Sequence, residues 1–325
     1  MEDKLCFVQF LHPGGEHWPD KGDRKSWNRA EFPHRRTFVK QRGRYIAGNA
    51  VEENDIVFWC EWEPEAELVQ TIDSPSSVGP NHIFEPYYVI PESYWGLHNT
   101  DPFVFGDEFY YTWCRQIKPS NGRQTQLCYL AAGSVILFGS CRRESFILDA
   151  VLVVDQSVWH RRDTYRDALQ GVIPQAYAEV TIAPSYGEHA AKGFGCGPKR
   201  AGAKPKQRCA ESSPVAANRL YCGAMYDRPY AGMYSFFPCQ PYNPHDPVFE
   251  RPRIKIPGVI ANKQAMGFKL NPQSSLEQTK ALWDEVVKQV TDQGLMLGVW
   301  AAMPERRDSS GSKPIPKENP RGFHC

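Results

Sequence analysis

Residues 131–154 read AAGSVILFGSCRRESFILDAVLVV. Residues 134–138 form an apolar run, residues 139–144 are polar and include Arg142 and Arg143, and residues 145–154 are apolar again. Two apolar runs of strand length joined by a short polar turn predict a β-hairpin.

Strand signals extend outward from this hairpin in both directions. LCFVQFL (5–11) reads as a buried strand that stops at His12-Pro13-Gly14-Gly15. Residues 37–46 predict a strand with a turn at Gly43, and residues 56–63 predict another before Pro64. Residues 82–91 predict a peripheral strand, because Pro86 interrupts it. Residues 103–117 are aromatic enough for a strand pair, which residues 125–130 continue. Residues 165–169 suggest a short helix and residues 178–182 a strand. Further on, strands are expected in RLYCGAMY (219–226), MYSFFPC (233–239), residues 251–260 and LMLGVWAAM (295–303). Between the last two lies the clearest helix. Ser274 and Glu277 have the S-x-x-E spacing of a capping box, Leu276, Trp283, Val286, Val287 and Val290 share a face, and Gly294 follows as a C-terminal stop.

These elements predict a β-rich α+β protein, mostly an antiparallel sheet or barrel, with one C-terminal helix. Residues 1–182 form the β-rich domain. Residues 183–218 are a flexible basic loop or linker, residues 219–303 an α+β segment completing the same core, and residues 304–325 a disordered tail.

Composition narrows the function classes. The chain has 325 residues and a net charge of +1, so any anion site must be local rather than global. Its opening, MEDKLCFVQF, lacks a long apolar region and a small-residue cleavage site, and no run of about 18 apolar residues occurs, so a cytoplasmic protein without membrane contact is expected. The 10 cysteines are then read as reduced thiols; none forms a C-x-x-C pair.

Three stretches carry candidate chemistry. The first is residues 12–36, with His12, Glu16, His17, His34, Arg35 and Arg36 beside Trp18 and Trp27. Arg35 and Arg36 suit phosphate, the two Trp rings suit stacking on a base, and His12 and His17 are acid–base candidates. A divalent metal is the alternative there, although Pro13-Gly14-Gly15 rules out a helical H-x-x-E-H site; no cofactor is predicted. The plain alternative is a solvated loop. The second stretch is WCEWE (59–63), whose alternation puts Trp59, Glu61 and Glu63 on one strand face and Cys60 and Trp62 on the other. Glu61 and Glu63 are acid–base candidates, and Trp59 and Trp62 ligand-binding candidates. Plain edge charges are the alternative. The third is residues 188–208, where Lys192, Lys199, Arg200, Lys204, Lys206 and Arg208 face only Glu188. Lys199, Arg200, Lys204, Lys206 and Arg208 are read as contacts to a nucleic-acid backbone, against a plain solvated insertion. GFGCGPKR (193–200) lacks the G-K-[ST] of a phosphate loop.

Two family resemblances add to this. NDIVFWCEWEP (54–64) and residues 131–154 resemble strand–turn–strand passages of PUA-like domains of the EVE and ASCH type. The resemblance implies a small β-barrel that recognises a flat base in an aromatic pocket. Ser134 stands where such domains commonly carry an acid after Gly. RLYCGAMY with MYSFFPC loosely resembles the strand order of ADP-ribosyltransferases, with Cys222 where Arg or His is usual and Glu250 or Glu285 as conceivable catalytic acids. The leading expectation is therefore a nucleotide or nucleic-acid binding module. The alternatives are an enzyme acting on a nucleotide-like or NAD-like substrate, and a protein that binds a protein partner.

Overall fold

In the computed structural model, residues 2–12, 36–72, 82–89, 100–118, 121–142, 144–186, 217–261 and 267–307 are described. Their strands, in chain order, are β1 (Cys6–Leu11), β2 (Arg36–Ala47), β3 (Ala50–Glu61), β4 (Ala66–Thr71), β5 (His82–Tyr88), β6 (Tyr110–Tyr111) and β7 (Val135–Arg142). There follow β8 (Ser145–His160), β9 (Asn218–Gly223), β10 (Phe237–Pro241), β11 (Arg253–Ile254), β12 (Gly267–Pro272), β13 (Met296–Ala301) and β14 (Glu305–Arg306).

The hairpin of residues 131–154 is β7 and β8, and it sits in the middle of the first sheet, whose order is β12-β1-β7-β8-β9-β6, with β11 also on β8. β1 pairs parallel to β7, whereas β12, β8 and β9 join antiparallel. Both faces are covered: Ile136 and Phe138 pack into one hydrophobic cluster, Val135 and Leu137 into another. That explains the unbroken apolar run. β7 extends to Arg142, so the polar residues 139–142 expected in the turn are paired strand.

The second sheet runs β13-β10-β3-β2-β5-β14, with β4 on β5, and β13 also pairs β2. β2, β3, β10 and β13 thereby close into a ring. β2 passes straight through Gly43, and the turn falls instead at Gly48-Asn49. A Cβ at position 43 would lie 2.3 Å from the Ile56 side chain and 2.8 Å from the Trp300 carbonyl oxygen, so glycine here serves close packing, not a turn. β3 begins earlier than its apolar residues indicate. Its exposed acids are matched across the pair, with Tyr45 Oη donating to Glu52 at 2.7 Å, Arg42 on Glu53 at 3.1 Å and Lys40 on Asp55 at 3.0 Å.

β5 is not peripheral. β2 pairs its Ile83 and Phe84, β4 pairs residues 82–86, and β14 pairs Tyr87 and Tyr88. Pro86 lies past the β2 contacts, so it interrupts none of them. The region 103–117 forms only β6 and isolated bridges, residues 126–128 are a 3-10 turn capped by Thr125, and residues 178–182 are helical rather than a strand. Tertiary packing overrides the β-branched residues there: the adjoining Tyr177 stacks on Tyr110 at 5.2 Å and packs on Phe103 at 4.7 Å.

The C-terminal helix, Leu276–Asp292, covers the second cluster with Trp283, Val286 and Val290. Its cap lies one residue later than the spacing suggests. Ser275 Oγ accepts from Gln278 N–H at 3.3 Å, while Gln278 Oε1 accepts from Ser274 N–H at 3.1 Å. Gly294, at φ +76°, ends the helix as expected. Of the expected tail, residues 304–307 are described: Arg307 donates its N–H to the Tyr88 carbonyl at 2.8 Å and pairs with Glu67 at 2.8 Å, and residues 308–325 lie outside the described residues.

Candidate functional site

Three strand ends converge on one buried set of charged groups. His12 follows the last residue of β1, and its N–H donates to the Gly139 carbonyl at 3.0 Å. Glu61 ends β3, and Arg36 begins β2 directly opposite it in register. His12 Nδ1 lies 3.0 Å from Glu61 Oε2, and the two residues are only 4% and 6% exposed. The distance is that of an ion pair between imidazole and carboxylate, both out of water. The ring is wedged between Phe10 and Phe138, at centroid distances of 5.4 and 5.8 Å.

The fourth element supplies a residue the sequence reading passed over. β7 and β8 shift register between Phe138 and Gly139: Phe138 faces Ala150 while Gly139 faces Leu148. Asp149 is the extra residue of this bulge, a device that re-aims a side chain. A Cβ at Gly139 would lie 2.0 Å from the Ile147 carbonyl oxygen, so only glycine permits the approach. Asp149 Oδ2 accepts from Arg36 Nη2 at 2.9 Å and Oδ1 from Arg251 Nη1 at 2.6 Å. The Arg251 guanidinium in turn lies 4.1 Å over the Trp59 ring. One buried carboxylate thus holds two buried guanidinium groups.

A second polar knot adjoins the first. Glu63 is buried and donates its N–H to Thr100 Oγ1 at 3.3 Å. Asp101 accepts three backbone N–H bonds, from Thr112 at 3.0 Å, Trp113 at 2.7 Å and Cys114 at 2.8 Å. Burial pushes its carboxyl up to about 7, the three donors pull it back, and the Glu61 charge adds to the rise. Thr112 also carries the chain to His160: its Oγ1 lies 2.7 Å from Nε2, and Tyr186 Oη lies 2.8 Å from Nδ1. Burial holds this imidazole down at about 4, so it is neutral at ordinary pH. Tyr186 also hydrogen-bonds the Asn218 side chain, and Asn218 is the cross-strand partner of His160. Tyr186 is the last described residue before 187–216 and Asn218 the second after them, and both side chains gather at His160.

Of the residues singled out from sequence, His12, Glu61 and Arg36 come together. Glu63 lies on the neighbouring knot. Trp59 and Trp62, read as ligand stackers, are 4% and 1% exposed and are held by protein groups. Trp59 packs edge-on to Phe38 at 5.3 Å, and Trp62 Nε1 donates to the Glu65 carbonyl at 2.7 Å. Arg36, read as a phosphate grip, has its guanidinium on Asp149. His17, Trp18, Trp27, Arg35, Lys199, Arg200, Lys204, Lys206 and Arg208 lie outside the described residues. Cys222, which stands where the ADP-ribosyltransferase resemblance has Arg or His, is pushed up to about 12 by burial and by Glu108 and Asp155, and it stays a thiol. Asp149, Arg251, Asp101 and His160 were missed. A single acid inside the apolar run FILDAVLVV was the available signal, since a lone charge there must be buried and paired.

Among the described residues no three His, Cys, Asp or Glu side chains converge as a metal-binding group, and no helix is long and apolar enough to cross a membrane. No family model, no curated protein and no solved structure matches the chain.

Proposed function

We propose that the protein binds a nucleotide or nucleic acid and acts on it through an acid–base pair, with His12 moving the proton and Glu61 orienting it. The observation that carries this reading is the 3.0 Å contact between His12 Nδ1 and Glu61. The two residues are far apart in sequence, and each is an acid–base candidate by residue type. A carboxylate on Nδ1 fixes the tautomer, aims the ring and stabilises the imidazolium formed when Nε2 takes a proton. The Arg36–Asp149–Arg251 triad beside it is a rigid frame, since each guanidinium is held at a fixed distance from one carboxylate. The nucleotide half of the proposal is supported by the six cations among residues 188–208 and by the resemblance of residues 131–154 to strand–turn–strand passages of PUA-like domains.

The test is product analysis by chromatography and mass spectrometry, with full-length protein incubated with nucleotides, NAD and short DNA and RNA. Turnover that falls by at least about a hundred-fold in His12→Ala, with binding kept, is the expected result. Turnover unchanged in His12→Ala removes the acid–base assignment. A second reading, binding without turnover, is favoured by the burial of both residues, which suits a structural pin equally well. It predicts ligand binding, no product, and loss of stability alone in His12→Ala.

A further inference from the structure

Ser140 is only 6% exposed, and its Oγ has no hydrogen-bond partner among the described residues. Its strand neighbours offer none. Phe138 precedes it on the same face of β7, and Ile147 stands opposite it on β8. A buried hydroxyl left unpaired costs stability, so its presence calls for a reason.

Strand register supplies one. β1 and β7 pair in parallel as far as Leu11 and Gly139, and the His12 N–H then donates to the Gly139 carbonyl at 3.0 Å. In a parallel ladder that bond carries the register one step on and sets His12 opposite Ser140. The two side chains also share a face. Alternation puts Ser140 with Ile136 and Phe138, and His12 with Val8 and Phe10, and all four apolar residues pack into one cluster. Gly139 faces the other way: a Cβ there would lie 2.8 Å from the Phe146 ring, which belongs to the second cluster, as does the packing of Cys141. Neighbouring strands run about 5 Å apart, so the serine and the imidazole start side by side. Glu61 lies 3.0 Å from Nδ1, on one edge of the ring, which leaves Nε2 for Ser140.

We propose that Ser140 is the nucleophile of a serine–histidine–carboxylate triad with His12 and Glu61. This rests on the acid–base reading above and adds to it the atom that attacks. The nucleotide half of that reading makes the electrophile the phosphorus of a phosphate ester. Ser140 Oγ bonds to phosphorus while its proton passes to His12 Nε2. The ester P–O bond breaks, and the leaving oxygen takes that proton from His12. Water then attacks the phosphoseryl group and gives a proton to Nε2, the Oγ–P bond breaks, and Oγ takes the proton back. Glu61 stabilises the imidazolium in both steps. The bond between nucleophile and base commonly tightens only when substrate is bound.

The test treats the full chain with a biotinylated alkyl fluorophosphonate, which phosphonylates an activated serine and releases fluoride, and locates the label by peptide mass spectrometry. The label is expected on Ser140, absent in Ser140→Ala and at least ten-fold slower in His12→Ala. Turnover of nucleotides and oligonucleotides should fall at least about a thousand-fold in Ser140→Ala. The melting temperature of that variant should not fall, because the hydroxyl has no partner to lose. Wild-type labelling needs no variant, so it carries the test if Ser140→Ala fails to fold. A wild type left unlabelled at Ser140 overturns the nucleophile, and labelling as fast in His12→Ala overturns the triad. Turnover that His12→Ala abolishes and Ser140→Ala keeps overturns Ser140 and leaves the acid–base pair standing. Neither label nor turnover overturns both. Label on Ser140 with no turnover of any nucleotide supports the triad and overturns the phosphate-ester substrate.

Discussion

The knot around Asp149 holds two guanidinium groups on one carboxylate, with the His12–Glu61 pair beside it, whereas the knot around His160 is made of a neutral imidazole, a threonine, a tyrosine and an asparagine. Both are buried, yet burial acts on them differently. In the first, each guanidinium lies a hydrogen bond from the carboxylate it pairs with. In the second, no counter-charge is in contact, so the imidazole sheds its proton and is satisfied by hydroxyl groups. The charged knot joins β1, β2 and β8 to the chain at Arg251, and the neutral one ties β8 to both ends of residues 187–216. A buried charge needs a partner, while a buried neutral group needs only a hydrogen bond.

The largest expected effect separates the two kinds of burial. Asp149→Ala leaves Arg36 and Arg251 without their shared carboxylate and should lower unfolding stability by roughly 3–5 kcal/mol, read from urea midpoints. A loss under 1 kcal/mol would mean the guanidinium groups do not depend on Asp149.

The neutral knot should reveal itself through pH. The folded His160 pKa, about 4, lies below its ordinary 6.5. Between those values the unfolded chain binds a proton that the folded chain does not, so this residue's contribution to stability falls as pH drops from 6.5 to 4. The full loss is about 3 kcal/mol. Asp101 works the other way: its carboxyl, raised from 3.8 to about 7, holds a proton in the folded state across that window and favours folding as pH falls. The difference between wild type and His160→Gln isolates the histidine. Wild type should lose more stability than the variant on going from pH 6.5 to 4, and parallel curves would show that His160 does not titrate as a buried neutral group.

Glu61→Gln sharpens the charged side by keeping shape and removing charge. It should lower any His12-dependent turnover well before it lowers the melting temperature, because glutamine can still accept from Nδ1 but cannot stabilise an imidazolium. Equal turnover would make the pair a structural pin. The smallest effect is a control remote from both knots. Ser275→Ala removes the oxygen that caps Gln278 N–H and should cost about 1 kcal/mol, with no change in ligand binding.

Much of the fold is legible along the chain where local chemistry dominates. The β7–β8 hairpin follows from two apolar runs, and the helix Leu276–Asp292 from its periodic apolar face and its serine cap. The errors fall where packing overrules local preference. Residues 178–182 look like a strand but are helical, and residues 103–117 look like paired strands but wrap around Asp101. The site is half legible. His12, Glu61 and Arg36 were marked by residue type, but Trp59 and Trp62 were marked for their rings, and those rings pack into the core.

Residue pattern alone therefore determined that this is a β-rich protein with one amphipathic helix, because periodicity of apolar side chains reports which faces must leave water. Only tertiary structure decided which charges meet. β1, β2, β3 and β8 bring His12, Arg36, Glu61 and Asp149 together through strand register and one bulge, and neither quantity is encoded in the spacing of those residues along the chain. The same register sets Trp159 against Arg219 and leaves its ring partly exposed.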